Sequence, residues 1–102
     1  MIAAYFRAAH AHDPGGVAAC FTHDAVVRDE GRDLATPDAI RAWKAEVVAK
    51  YASHTLVSGV DRAGEKTVVT ATVSGTFNGS PIELRHVFTL EGEAIARLEL
   101  AP

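Results

Sequence analysis

Three side chains able to do chemistry fall on faces that otherwise read as apolar: Tyr5, Asp29 and His86. His86 interrupts the alternating row Ile82, Leu84, Phe88 and Leu90, so an imidazole stands on the strand face that must pack against helices. It is either a core histidine satisfied by a backbone carbonyl or another side chain, or the polar group of an apolar small-molecule pocket. Asp29 follows Val27 in the alternation and ends a short strand with buried neighbours. A carboxylate there is either the first polar residue of the following turn or a general base whose affinity for protons is raised by burial. Tyr5 shares a helical stripe with Ile2, Phe6 and Ala9 at i, i+3, i+4 and i+7 relative to Ile2, and so points inward. Its ring packs, and its hydroxyl needs one partner.

Other chemical signals are weaker. His10 and His12 sit two apart on a helix and therefore diverge, and without a third ligand they do not make a metal site; no metal and no cofactor is expected. The lone Cys20 lies on the apolar stripe Val17, Cys20, Phe21 of a second short helix, where packing accounts for it. A single cysteine also suits a reducing compartment, so a cytoplasmic location is expected. Gly-rich phosphate loops, Ser-His-Asp arrangements and paired cysteines are missing from the sequence. Ten Lys and Arg against 13 Asp and Glu give a net charge of −3, and the basic residues are scattered, which argues against nucleic acid. No apolar run reaches the ~20 residues of a membrane span, so no membrane partner is expected.

The elements that must position these residues come in two compositional halves. Up to about Tyr51 the chain is Ala-rich and helical; afterwards it is rich in Val and Thr with Gly punctuation, an order that indicates α+β. Asp13-Pro14 and Thr36-Pro37 are helix starts, each an N-cap followed by a first-turn proline. The third helix carries Ile40, Trp43, Val47, Val48 and Tyr51 on one face, with Trp43 as core and secondarily as a pocket wall. A short strand is expected over 25–29, then a polar turn Glu30-Gly31-Arg32-Asp33. Later strands are expected at 54–61, 66–77, 81–90 and 93–100, separated by Gly-containing turns. Taking Asn78-Gly79 as a two-residue hairpin loop pairs Val69 with Phe88, Ala71 with His86, Val73 with Leu84 and Gly75 with Ile82. The small residues Ala71 and Gly75 then leave room above His86. The opposite face carries Thr70, Thr72, Ser74 and Thr76 against Val87, Arg85 and Glu83.

The 102-residue chain, expected as one domain over 1–102, resembles over almost its whole length the nuclear-transport-factor-2-like (NTF2-like, cystatin-like) superfamily, which includes SnoaL-like polyketide cyclases and ketosteroid isomerases. The stretches that carry the resemblance are YFRAAHAHDPGGVAACFTHDAVVRDEG, TPDAIRAWKAEVVAKY and VSGTFNGSPIELRHVFTLEGEAIARLEL. It implies a cone-shaped fold in which three N-terminal helices pack on a strongly bent antiparallel sheet. Ketosteroid isomerases carry an oxyanion-hole tyrosine in a Tyr-x-x-Ala-x-x-x-x-Asp setting, which Tyr5, Ala8 and Asp13 resemble, although Arg7 stands where a small residue is usual. Their base ends a Phe-x-x-Asp-Ala-x-Val-x-Asp run, which Phe21 to Asp29 matches, placing Asp29 on the base. Their third group is a protonated aspartic acid on a late strand; counting back from Leu90 and Gly92 puts His86 there. SnoaL-like cyclases also place an acid/base residue on that strand.

The resemblance therefore implies proton abstraction next to a carbonyl, with Asp29 as base and Tyr5 and His86 as donors to the enolate oxygen. Trp43, Phe88, Ala71 and Leu84 are the expected substrate-binding walls, and a small hydrophobic molecule the expected partner. The alternatives are a non-catalytic binding module using the same pocket, or an assembly role with the pocket filled by side chains. Since 48 % hydrophobic residues spent around a hollow give a lightly packed domain, a homodimer through the outer sheet face of Thr70, Thr72 and Arg85 is expected.

Overall fold

Both expected helix starts form as capping chemistry requires in the computed structural model, which describes residues 2–29, 31–51, 54–76 and 78–101. Helix α1 spans Ile2–His10 and α2 spans Pro14–Ala18. The Asp13 side chain accepts from Gly16 N at 3.1 Å, and Pro14 takes a first-turn position where its missing N–H costs nothing. Helix α3 spans Pro37–Tyr51, and Thr36 Oγ1 accepts from Ala39 N at 3.0 Å. The strands are β1 (Phe21–Asp29), β2 (Arg32–Leu34), β3 (His54–Ala63), β4 (Lys66–Ser74), β5 (Ile82–Glu91) and β6 (Ala94–Ala101). They form one six-stranded, mostly antiparallel sheet in the order β2-β1-β6-β5-β4-β3. The class is α+β, three helices against a sheet, as the compositional halves indicate.

The structure departs from the expectations in four places. Phe21 opens β1 rather than closing the second helix, which stops at Ala18; Cys20 lies in the turn between them, buried, with Sγ against Gly16 O at 3.4 Å. The expected polar turn after Asp29 contains β2, which pairs antiparallel with β1 through Asp29↔Arg32, Arg28↔Asp33 and Val27↔Leu34. Three polar-rich residues carry too little alternation to read as a strand; β1 supplies the template. One pairing, β1 with β6, is parallel (Val27↔Leu98), so the sheet is not wholly antiparallel.

The fourth departure bears on the site. Strand β4 stops at Ser74 and β5 starts at Ile82, so the connection is longer than a two-residue loop. Ser80 Oγ accepts from Gly75 N at 2.8 Å, and Pro81 has no N–H to give the ladder. The register consequently slips by two residues: His86 pairs with Val69, Leu84 with Ala71, Phe88 with Thr67 and Ile82 with Val73. A slip of two preserves every side chain's face and changes only its neighbour. The expected pairing of Ala71 with His86 is thus replaced, and Gly75 lies beyond the strand.

The core sits between the helices and the inner sheet face, with Tyr5, Val17, Ile40, Trp43, Val27, Val69, Phe88, Ile95 and Leu98 all buried. Helix α1 packs against α2 and reaches β3, while α3 packs against α2 and β1. Ile40 and Trp43 are buried along α3 and Val47 packs against the core; the expected apolar roles of Val48 and Tyr51 lie outside the described side chains. Among the described residues no helix is long and apolar enough to cross a membrane.

Candidate functional site

His86 is 5 % exposed on the inner face of β5, enclosed by aromatic rings. Phe6 meets it edge-on at 5.1 Å, Tyr5 at 6.3 Å, and Phe88 stacks with an interplanar angle of 13° at 6.2 Å. Alternation along β5 puts 86 and 88 on one face, and the i, i+1 pair Tyr5 and Phe6 spreads two rings across the facing side of α1. Its Nδ1 is buried and makes no hydrogen bond. Burial lowers the imidazole's pKa from 6.5 to about 4, and the positive charge of Lys44 pushes the same way. Hydrogen bonding with the backbone of Val69 and Leu84 acts in the opposite direction and less strongly than either. His86 is therefore a neutral imidazole at neutral pH, with one N–H to give and one lone pair to accept.

Tyr5 is 1 % exposed, and its ring lies edge-to-face against Phe6, Phe21 and Phe88. Its oxygen accepts from Lys44 Nζ at 3.4 Å, so the phenolic hydrogen points elsewhere and is available as a donor. Asp29, half-buried at the end of β1, shares the inner face with Val27. Trp43 Nε1–H donates to its Oδ2 at 2.8 Å. That bond orients the carboxylate and gives the buried indole its partner. Trp43, expected as core and wall, thus also positions Asp29.

Helix α3 joins the two halves of the site. Trp43 holds Asp29; the next residue, Lys44, holds Tyr5; and the Lys44 ammonium lies 4.9 Å from the Trp43 ring centroid and 5.4 Å from that of Tyr5. Tyr5 and His86 are in direct ring contact, and Asp29 is tied to them through Trp43 and Lys44. Of the expected walls, Ala71 and Phe88 are wholly buried and Leu84 is half-buried beside Ala71 on the neighbouring strand. Phe88 packs directly on His86.

Lys44 is the residue that reading the sequence overlooked. Its signal is present: Ile40, Trp43, Lys44 and Val47 follow the 3-1-3 spacing of an apolar stripe, and a lysine in that stripe needs a reason. Phe6, placed on the apolar face, gains a specific part as the ring covering His86. Cys20 does not join the site, and burial raises its thiol pKa, which keeps it protonated and unreactive. Among the described residues no group of three or more His, Cys, Asp or Glu is placed to hold a metal.

Three N-terminal helices over a six-stranded, mostly antiparallel sheet are the architecture of the NTF2-like, cystatin-like fold. The chain belongs to the SnoaL-like domain family, which it matches over residues 2–98. A candidate polyketide cyclase from Sinorhizobium meliloti is 34% identical, with a TM-score of 0.93 over 98% of this chain and 92% of that one. A protein with a ketosteroid isomerase-like fold from Catenulispora acidiphila, solved in complex with trimethylamine, shares the fold at 21% identity and a TM-score of 0.86, over 99% and 83% of the two chains. A cystatin-fold protein from Novosphingobium aromaticivorans does so at 20% identity and a TM-score of 0.82, over 99% and 94%. No curated protein matches the sequence.

Proposed function

We propose that this SnoaL-like protein acts on a small hydrophobic carbonyl compound by removing a proton from the carbon next to the carbonyl. The observation that carries the reading is the buried, neutral His86 imidazole, its Nδ1 without a hydrogen bond, beside the Tyr5 ring and on the same inner face as a carboxylate oriented by Trp43. An unsatisfied polar atom in an aromatic enclosure costs stability unless a ligand completes it.

Asp29 takes the proton from carbon, and the electron pair moves onto the carbonyl oxygen. Tyr5 O–H and the His86 N–H donate to that oxygen as its charge grows, which lowers the barrier because both donors are held in place beforehand. Returning the proton from Asp29 to another carbon of the conjugated system completes an isomerisation. Attack of the enolate carbon on a second carbonyl carbon instead closes a ring, the second C=O becoming an alkoxide that takes the proton back from Asp29, and the likeness to the candidate polyketide cyclase from Sinorhizobium favours a substrate with several carbonyls. Asp29→Asn tests the base: turnover should fall by about 10²–10⁴-fold while circular dichroism and ligand binding persist. Isomerisation of a 3-oxo-Δ5 steroid is the first assay, followed by linear polyketones. An Asn variant as active as the parent removes Asp29 from the mechanism.

The enclosure of the Tyr5 and His86 rings by Phe6 and Phe88 favours a second reading, in which the same residues orient an apolar ligand without chemistry. Binding in a thermal-shift screen of hydrophobic carbonyl compounds, with no turnover of any ligand found, distinguishes it. We also propose a homodimer through the outer face of Thr70, Thr72 and Arg85; sedimentation should give twice the chain mass, and Arg85→Glu should weaken association.

A further inference from the structure

Lys44 carries a charge that neither the fold nor the proposed reaction has yet required. It is half-buried on the inward stripe of α3 beside Trp43. A lysine ordinarily extends its ammonium to water. Here Nζ turns inward, 3.4 Å from the Tyr5 oxygen and over the Tyr5 and Trp43 rings. The ion pairs among the described residues are Arg28–Asp33, Lys66–Glu99 and Arg97–Glu99, and none involves Lys44. A partly desolvated ammonium held on two aromatic faces, with no ion pair to a carboxylate among the described residues, is a source of positive potential in the site.

We propose that Lys44 is the electrostatic and positioning residue of the oxyanion site, aiming the Tyr5 hydroxyl at the ligand and selecting ligands that carry negative charge on oxygen. The inference rests on the enolate reading of the site and adds to it the preferred charge state of the ligand. By donating to the phenolic oxygen, Lys44 occupies a lone pair and turns the Tyr5 hydrogen away from α3. A ligand oxygen accepting that hydrogen at normal length lies about 5 Å from Nζ. In a site largely closed to water, a charge at that distance favours an oxyanion over its neutral form by about tenfold to a hundredfold. Burial first, and the Lys44 charge second, lower the proton affinity of His86.

The test compares the parent chain with Lys44→Met and Lys44→Arg. The probes are 2-naphthol, a more acidic nitro-substituted naphthol, and 2-methoxynaphthalene as a neutral control. Absorbance reports whether the bound naphthol is ionised, and titration gives each Kd. The parent should bind the naphthols as naphtholates; Lys44→Met should lose about tenfold or more of that preference while holding 2-methoxynaphthalene as before, and Lys44→Arg should restore part of it. A lysine with only a packing role would weaken naphthol and methyl ether equally, which overturns the proposal. A Met variant that keeps the naphtholate preference overturns it too, while leaving the oxyanion site intact. A parent chain that binds no naphtholate refutes the enolate reading and the role of Lys44 together.

Discussion

Replacing His86 by Phe should change how the stability of this protein depends on pH, by an amount set by the environment of the imidazole. In the folded chain His86 is only 5 % exposed, and burial lowers its pKa to about 4 against 6.5 in the unfolded chain. Between those values the unfolded chain holds a proton that the fold refuses. Stability is therefore full above pH 6.5, falls as pH drops through the interval, and changes no further from this group below about 4. At 1.36 kcal/mol for each tenfold change in proton affinity, the loss is about 3 kcal/mol, a large part of the ~5–15 kcal/mol that holds a domain together. Phe is accommodated by the same rings that pack on His86, namely Tyr5, Phe6 and Phe88, and it removes the unpartnered Nδ1. The assay is urea denaturation of both proteins at a series of pH values from 7 to 4. Every other group titrates in both, so the difference between the curves isolates His86. The parent should lose about 3 kcal/mol relative to His86→Phe over this range, a midpoint difference of roughly 1–3 M urea. Parallel curves would refute the buried, neutral histidine and the oxyanion-donor role that depends on it.

Trp43→Phe keeps a ring on α3 but removes the N–H that orients Asp29, so stability should fall by about 1–3 kcal/mol and turnover should fall with it; denaturation midpoints and rates on a single preparation check both. Thr36→Ala removes the oxygen that accepts from Ala39 N, costing about 1 kcal/mol of stability with no change in ligand binding, as thermal melts and titrations will show. Phe88→Ala empties a wholly buried position and should cost about 3–5 kcal/mol, read as a lowered denaturation midpoint together with weakened binding of hydrophobic carbonyl compounds.

Local chemistry made much of this fold legible. Asp13-Pro14 and Thr36-Pro37 mark helix starts because a cap and a first-turn proline act within a few residues, and they do so whatever the rest of the chain does. The inward direction of Tyr5, Asp29 and His86 follows from helical and strand periods, which depend only on backbone geometry. Strand β2 was hidden because three residues carry no period; it exists because β1 offers its edge. The register between β4 and β5 was misjudged because Asn78-Gly79 is a strong local signal, whereas the Ser80–Gly75 bond and Pro81 act on a longer connection.

By itself the sequence determined the α+β order, the helix starts at their capped ends, and the inward direction of Tyr5, Trp43, His86 and Phe88, but not the full apolar row of β5, whose ends Ile82 and Leu90 are exposed. The tertiary structure decided what those side chains meet: Val69 opposite His86, the Trp43 indole on Asp29, and the Lys44 ammonium on Tyr5. The physical reason lies in range. Capping and periodicity act over one to four residues of chain, while Lys44 and Tyr5 stand 39 positions apart and meet only because α1 and α3 share one hydrophobic layer. The stripe in which Lys44 sits was written in the sequence, but its contact with the Tyr5 hydroxyl exists only in the fold.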